Sequence, residues 1–308
     1  MSTEVNKSLT FLRRIFVKKK RSVLNARTSG EKVLFAITFL VFLIHSLTFV
    51  FVFWWLFNNS LKGPFEYGTL GTSMEMPKEW LFRNYLDAFN LLNAGKIGFG
   101  QMILNSIMYT AISAFLGSFT PAVTGYVLSK YRFKGRNVIY NVAIVCMTLP
   151  IVGAGAAYMK VLHSLQLYNN PLYYVVLSLN GFGGNFLVYS AFFSGLSWAY
   201  AEAAEIDGAN PWQIFFKIMF PQALPVFFTY VITSAIGCWN EYNMMILYMP
   251  DWLSLAAGLY TFRANAQRGA NYPVYFAGLI VSMIPTMTIF AMFSGKIMTS
   301  LSIGGLKG

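Results

Sequence analysis

Residues 202–225 read EAAEIDGANPWQIFFKIMFPQALP. Glu202, Ala203, Ala204 and Glu205 are good helix formers. Gly208 can take the left-handed conformation that ends a helix. Asn210 suits an N-cap, Pro211 the first helical position, and Gln213 the third position of a capping box. Trp212, Phe215, Phe216, Met219 and Phe220 then recur at helical spacing. The expectation is two short helices joined by a sharp corner, with the second ended or kinked by Pro221 and Pro225. Very apolar segments flank this polar island, so it reads as a docking knob at a membrane surface.

The rest of the chain supports that setting. Of 308 residues, 56% are hydrophobic and 11% charged, where soluble domains carry about 25% charged residues. Mean hydropathy is +0.53. The apolar runs are too long for barrel strands, so an all-α integral membrane protein is expected. Six spans are predicted at about 33–57, 101–129, 137–159, 172–197, 223–248 and 274–296, within one transmembrane domain covering 33–308. Residues 1–32 hold Lys7, Arg13, Arg14, Lys18, Lys19, Lys20, Arg21, Arg27 and Lys32 against Glu4 and Glu31. This is expected to be a basic cytoplasmic tail fixed by the positive-inside rule, lying against anionic lipid or simply solvated. Lys130, Arg132, Lys134 and Arg136 mark another inside loop. With six spans, both termini fall inside. The +12 formal charge is mostly tail and not a nucleic-acid signature.

Within this frame several positions stand out. Trp54 and Trp55 form an aromatic belt at the end of the first span, and His45 inside it reads as a packing residue. Residues 58–100 form a polar outside loop whose piece 80–89 looks like a short amphipathic helix. Gly117, Pro121 and Gly125 suggest a kinked second span with close neighbours. Pro150 lies in the third. Gly153 and Gly155 beside it fit either close helix approach or a frayed end. Gly181, Phe182, Gly183 and Gly184 interrupt the fourth, as a pathway wall or as tight packing of small residues. Trp239, Asn240, Glu241 and Tyr242 place an ionisable group at membrane depth beside stacking rings, near the end of the fifth span. That is a candidate substrate pathway, or else Glu241 marks the interface or caps a helix. The loop 249–273 reads as mixed and outside.

Function classes can be excluded by what is missing. No GxxxxGK[ST] occurs; Gly95-Lys96 and Gly295-Lys296 lack the pattern. No Gly-x-Ser-x-Gly, HExxH or paired catalytic carboxylates stand out, so no catalytic residue is assigned. Cys146 and Cys238 fall inside apolar segments, and no Cys/His cluster has metal spacing. An enzyme is not expected, and any ATP-driven step needs a partner.

The 202–225 run resembles the EAA loop of ABC importer permeases, and its Asp-Gly-Ala form is similar to the carbohydrate-uptake, maltose-type branch. Glu202, Ala203, Ala204, Asp207, Gly208, Ala209, Phe216, Ile218, Pro221 and Pro225 match. Phe220 replaces a usual Leu, and Leu196–Tyr200 replaces a stretch that commonly carries Pro and charges. Asn84-Tyr85 with Phe89, the Trp239–Tyr242 run and the end Gly304–Gly308 also resemble the family. The resemblance implies a type I ABC importer permease fold with six helices and sugar transport by alternating access. It implies a homologous second permease, an ATP-binding subunit dimer carrying ATP and Mg, and an extracellular solute-binding protein. The coupling loop would then be Glu202, Ala203, Ala204, Asp207, Gly208, Ala209 and Pro221. The charges of Glu202 and Asp207 would face the ATPase, Gly208 would turn the corner, and the alanines would keep the knob small. The segment with Tyr260, Arg263, Asn271 and Tyr272 would reach the binding protein, unless it is a solvated surface loop. An importer of a non-sugar solute, or a stand-alone carrier or enzyme, are the other readings. The Asp-Gly-Ala form disfavours the first, and the shortage of intramembrane ionisable groups the second. The identity of the sugar is not written in the chain.

Overall fold

The computed structural model describes residues 29–70, 74–149, 153–265 and 271–304. The last four residues and most of the basic tail lie outside them, as does Pro150. The chain divides into two units, residues 1–56 and 57–308.

The first unit holds most of helix α1 (Ser29–Ser60). Residues 29–53 are exposed throughout, including Phe39, Phe42, Val50 and Val52. A helix apolar on every side is stable only where its surroundings are apolar too. Two of its hydroxyls are satisfied internally, as lipid favours: Ser46 donates to the Phe42 carbonyl at 2.8 Å and Thr48 to that of His45 at 2.6 Å. The His45 ring packs edge-on against Phe49, with centroids 4.9 Å apart.

The second unit continues with α2 (Pro64–Leu70), α3 (Arg83–Leu91) and a two-residue hairpin of β1 (Asn93–Ala94) and β2 (Ile97–Gly98). The segment 58–100 is therefore structured rather than an open loop. Asn84 is the fastener: its Nδ2 donates to the carbonyls of Ser60 at 2.8 Å and Lys62 at 2.9 Å. The Tyr85 hydroxyl meets the Ser60 hydroxyl at 2.9 Å. Lys62 is fully buried beside them. Burial pushes its ammonium below the ordinary lysine range, against the pull of Glu66 and Glu75.

The core is organised by α4 (Phe99–Lys130). Then come α5 (Arg136–Thr148), α6 (Gly155–Ser164), α7 (Leu172–Ser178) and α8 (Gly184–Gly195). After them follow α9 (Ala199–Ile206), α10 (Pro211–Ile214), a π turn (Phe215–Met219) and α11 (Phe220–Asn240). The chain ends with α12 (Asn243–Tyr248), α13 (Leu255–Asn265) and α14 (Tyr272–Gly304). Helix α4 packs chiefly on α8 and α11. Its contact with α8 is close because Gly125 has no side chain. A Cβ there would lie 2.8 Å from the Tyr189 Cβ and 3.0 Å from the Ser190 nitrogen.

Among the described residues, four helices are long and apolar enough to cross a membrane: Ser29–Ser60, Phe99–Lys130, Pro211–Asn240 and Tyr272–Phe293. The two other expected spans are broken helices. The stretch 137–159 divides after Thr148. Leu149 is extended (φ −71°, ψ 117°), as the residue before a proline tends to be, and Gly153 has φ +79°. The stretch 172–197 divides between Ser178 and Gly184. Gly181 sits against Thr124, whose hydroxyl donates to the Gly181 carbonyl. At this position the glycine serves close packing.

Three further expectations are corrected. Pro221 and Pro225 do not end the second helix of the corner, which runs on to Asn240. A proline in a regular α-helix clashes with the carbonyl four residues back. Here the π turn widens the backbone just before Pro221, and the Phe220 N–H bonds the Phe215 carbonyl five residues back. The stretch 223–248 is not one helix, because α11 stops at Asn240 and Glu241 is extended. The loop 249–273 contains α13, whose Leu255, Ala257, Gly258 and Leu259 are buried. Gly258 makes room for the Met102 sulfur of α4.

Candidate functional site

The corner at 199–214 is built as a Schellman turn followed by a capping box. Gly208 has φ +82°, a region that disfavours side chains. The Gly208 N–H bonds the Glu205 carbonyl at 3.0 Å and the Ala209 N–H bonds the Ala204 carbonyl at 2.9 Å. Those two bonds define the Schellman pairing. Ala204 and Ala209 both join the core beneath, so their smallness lets the corner lie flat. Asn210 then accepts from the Gln213 N–H, and Gln213 accepts from the Asn210 N–H, both at 2.9 Å. That reciprocal pair starts α10 as the sequence predicts.

Below the corner lies a cluster of Ala122, Tyr126, Tyr189, Phe193, Phe215 and Met219. Tyr126 sits 4.8 Å from Phe215 and 5.3 Å from Phe193, centroid to centroid. Lys130 donates to the Leu196 carbonyl at the end of α8. The corner is thus tied to α4 and α8 as well as being continuous with α11, so a push on it is carried into three helices. Glu202, Ala203, Ile206, Asp207 and Gly208 are exposed. Of the alanines only Ala203 lies on that outer surface, while Ala204 is packing. Ile206, 87% exposed, was not singled out from sequence, and Trp212, 71% exposed, was read only as part of the apolar stripe. Both lie on the stretch the corner presents, and large exposed apolar side chains there mark an interface. Pro221 is interior to the continuous helix and stands at its π turn rather than on the knob.

The second candidate group separates into different roles. Trp239 is buried and its indole donates to the Ser282 carbonyl of α14 at 2.9 Å, a structural tie. Asn240 donates back to Ile236 at 2.8 Å. The Glu241 carboxylate accepts from the Met244 N–H at 2.9 Å, and its carbonyl accepts from Ser254 at 3.0 Å. Glu241 therefore does cap a turn, and it also lines a cavity. Tyr242 is exposed and stacks on Tyr260, centroids 4.8 Å apart and planes at 24°. The structure so joins the second and third candidate groups through one ring pair. Arg263 is exposed. Asn271 caps α14, accepting from the Val274 N–H at 3.3 Å. Tyr272 packs with Tyr67, centroids 5.7 Å apart. Residues 266–270 of that segment, Arg268 included, lie outside the described residues.

The cavity is about 280 Å³, lined by Tyr109, Ser113, Leu177, Ser178, Ser234, Gly237, Cys238 and Glu241. It lies where α7 breaks and where α11 stops. Except for Glu241, sequence reading missed it. A signal was present: Asn105, Ser106, Tyr109, Thr110 and Ser113 form a polar stripe at spacings of 1, 3, 1 and 3 in an otherwise apolar helix, and all are buried. Asn105 donates to the Leu253 carbonyl and Ser106 accepts from the Leu255 N–H, so two of the five anchor the start of α13. Among the described residues no group of three His, Cys, Asp or Glu could hold a metal ion.

Comparison with known proteins places this arrangement. The chain is similar to the diacetylchitobiose uptake system permease protein NgcG of Streptomyces coelicolor, 28% identical over 289 residues and covering 92% of each chain. It is 27% identical to the arabinooligosaccharides transport system permease protein AraQ of Bacillus subtilis, covering 87% of this chain and 94% of that one. The melibiose/raffinose/stachyose import permease protein MelC of Bacillus subtilis is 26% identical over 92% of this chain and 99% of its own. In fold, the chain matches a subunit in a crystal structure of a bacterial ABC transporter involved in the import of the acidic polysaccharide alginate. The TM-score is 0.71 at 20% identity, covering 88% of this chain and 98% of that one. Residues 117–298, more than half of the chain and including the whole corner, match the model of the binding-protein-dependent transport system inner membrane components. The chain belongs to the family of binding-protein-dependent transport system inner membrane components.

Proposed function

We propose that this chain is one permease subunit of an ATP-driven importer that moves a sugar or oligosaccharide across the cytoplasmic membrane by alternating access. Its multi-pass domain would cross six times with both termini in the cytoplasm. The broken pairs α5/α6 and α7/α8 would supply the two crossings that are not single helices. A homologous second permease, two copies of an ATP-binding subunit and an extracellular binding protein would complete the machine. ATP and Mg²⁺ belong to the ATP-binding subunits, so this chain needs no cofactor of its own.

The observation that carries this reading is the rigid, exposed corner at 199–214, held by a Schellman turn and a capping box on the core that α4, α8 and the π turn share. It is a knob with acidic, small and apolar groups outward, and it is fixed so that force applied to Glu202–Gly208 is not absorbed locally. The sugar assignment is supported by the named substrates of the three relatives. A stand-alone carrier would be expected to hold several ionisable groups at membrane depth. Helix α11 and residues 272–293 of α14 contain no Asp, Glu, Lys, Arg or His, and α4 has only Lys130 at its end.

The experiment is co-expression of the chain with its partner permease, ATP-binding subunit and binding protein, followed by uptake into proteoliposomes. Raffinose, diacetylchitobiose and arabinotriose are the first panel. The expected result is ATP-dependent accumulation that requires the binding protein. A chain that folds and purifies alone, never retains an ATP-binding subunit and takes up no sugar would overturn the reading.

A further inference from the structure

The turn between α4 and α5 carries charge that nothing around it answers. Arg132, Lys134 and Arg136 alternate along it, and no Asp or Glu occurs from residue 88 to residue 201. Among the described residues none of these three side chains enters a hydrogen bond or an ion pair. Arg132 and Arg136 share a hollow of about 320 Å³, whose other walls are Phe133, Gly135, Asn137 and Val138. Small-ligand sites begin at about 300 Å³. The turn itself is tied down. The Tyr131 N–H bonds the Val127 carbonyl at 3.1 Å, and the Arg136 N–H bonds the Phe133 carbonyl at 3.3 Å. The Tyr131 ring packs edge-on against Trp198, which enters the corner, with centroids 6.0 Å apart. Lys130 is already committed to the Leu196 carbonyl, so the two arginines are the cations the hollow keeps for another molecule.

The surroundings of the hollow say what kind of molecule. Guanidinium groups pair with phosphate through two parallel N–H donors. Gly135 stands before the first turn of α5 with φ +92°, and no side chain caps that turn. Backbone N–H groups at such an end welcome an anion as well. An apolar track then leaves the hollow. Val138 is one of its walls, and Val138, Val142, Val145 and Leu149 recur at spacings that keep one face of α5. All four are more than half exposed. Tyr140 and Ala143, on the opposite face, pack on Leu128 and Phe186. A soluble anion would use the arginines and leave the track unused. A phospholipid uses both.

We infer that the hollow is a head-group site for an anionic phospholipid of the cytoplasmic leaflet, with the phosphate between Arg132 and Arg136 and an acyl chain along the Val138–Leu149 track. This rests on the reading that puts the α4–α5 turn in the cytoplasm. Basic pockets on that side of a membrane suit anionic head groups. Lys134, exposed beside the hollow, adds to the attraction. A zwitterionic lipid brings its own cation next to its phosphate, and the three basic side chains repel that cation, so the site prefers a lipid with net negative charge.

The test places the complete transporter in phosphatidylcholine nanodiscs holding about 30% phosphatidylglycerol with a photoreactive acyl chain. After illumination, peptides covering 138–149 are analysed for attached lipid. Wild type should carry at least about fivefold more label than Arg132→Gln with Arg136→Gln. Photoreactive phosphatidylcholine should label both proteins to the same low extent. Millimolar inorganic phosphate should leave the phosphatidylglycerol label unchanged. If the glutamine variant fails to assemble, Arg132→Lys with Arg136→Lys carries the test: it keeps the charge, loses the planar fork, and should lose at least about half the label. Equal labelling of wild type and both variants, or equal labelling by the two lipids, would overturn the site. Displacement by inorganic phosphate would assign the hollow to a soluble phosphate compound instead. Loss of the ATP-binding subunit from the glutamine variant, with lipid labelling unchanged, would make the patch a protein contact and overturn the lipid. The topology is checked separately with Lys134→Cys in a chain carrying Cys146→Ser and Cys238→Ser. An impermeant maleimide should reach it from the cytoplasmic side alone. Reaction from the outer side would overturn the topology, and the site with it. Reaction from the cytoplasmic side without lipid preference would overturn the site alone.

Discussion

Gly125 is the position where one methyl group should matter most. On α4 it faces α8 so closely that a Cβ would stand 2.8 Å from the Tyr189 Cβ, 3.0 Å from the Ser190 nitrogen and 3.2 Å from the Tyr189 carbonyl carbon. Comfortable carbon contacts are about 3.5–4.0 Å, so Gly125→Ala requires the two helices to part by roughly 1 Å. The atoms met are backbone and a Cβ, which cannot swing aside. Overpacking of this kind costs about 1–3 kcal/mol. Alanine returns about 1 kcal/mol through helix propensity. Gly117 on the same helix is the internal control, because a Cβ there meets nothing within 4 Å. Gly117→Ala should keep the propensity gain without the clash. The difference between the two variants therefore isolates the packing penalty of about 1–3 kcal/mol. Thermal melts of the purified complex in detergent should place Gly125→Ala below Gly117→Ala by several degrees, at about 2–4 °C per kcal/mol. The neighbouring Tyr126 and Phe193 hold the corner, so coupling should weaken in the same variant. Equal melting temperatures, or a more stable Gly125→Ala, would refute the close approach of α4 and α8.

Two further outcomes follow from particular side chains. Asn84→Ala removes donors to the Ser60 and Lys62 carbonyls, a loss of about 1–3 kcal/mol; amide exchange at residues 58–62 should speed up, and unchanged protection there would show that the fastener lies elsewhere. Arg263→Glu should reduce stimulation by the binding protein without lowering the melting temperature. Asn271→Ala, which removes the cap of α14, should do the reverse by about 1 kcal/mol. If both variants lose stimulation at unchanged stability, Asn271 belongs to the docking surface after all.

Much of the corner was legible because its chemistry is local. A left-handed turn wants glycine at 208, an N-cap wants Asn210, and a capping box wants Gln213; each preference involves residues a few positions apart. The long apolar helices were legible for the same reason, since α1 and α4 carry their signal in every turn. What the sequence hid was long-range. Nothing local says that Trp239 reaches Ser282, or that Asn84 closes over Ser60 and Lys62. Pro221 looked like a stop or a kink because the rule against proline assumes a regular α-helix, and the π turn just before it escapes that rule. The loop 249–273 looked open because its buried face is formed by small residues, Ala257 and Gly258, whose burial depends on Met102 and its neighbours. The polar cavity draws its walls from three helices, so each hydroxyl alone read as an ordinary residue in a span.

The most direct test of the account is a coupling measurement at the corner. Gly208→Asp places a side chain at φ +82°, where nothing lies within 4 Å to clash with it. Asp tolerates the left-handed region better than most side chains, so the strain stays below about 1–2 kcal/mol and falls on the turn and not on the core. In the reconstituted transporter this variant should still assemble with its partners. It should also lose both sugar uptake and the stimulation of ATP hydrolysis by the binding protein. Full stimulation and full uptake by assembled Gly208→Asp would contradict the claim that the corner transmits the ATP-driven motion.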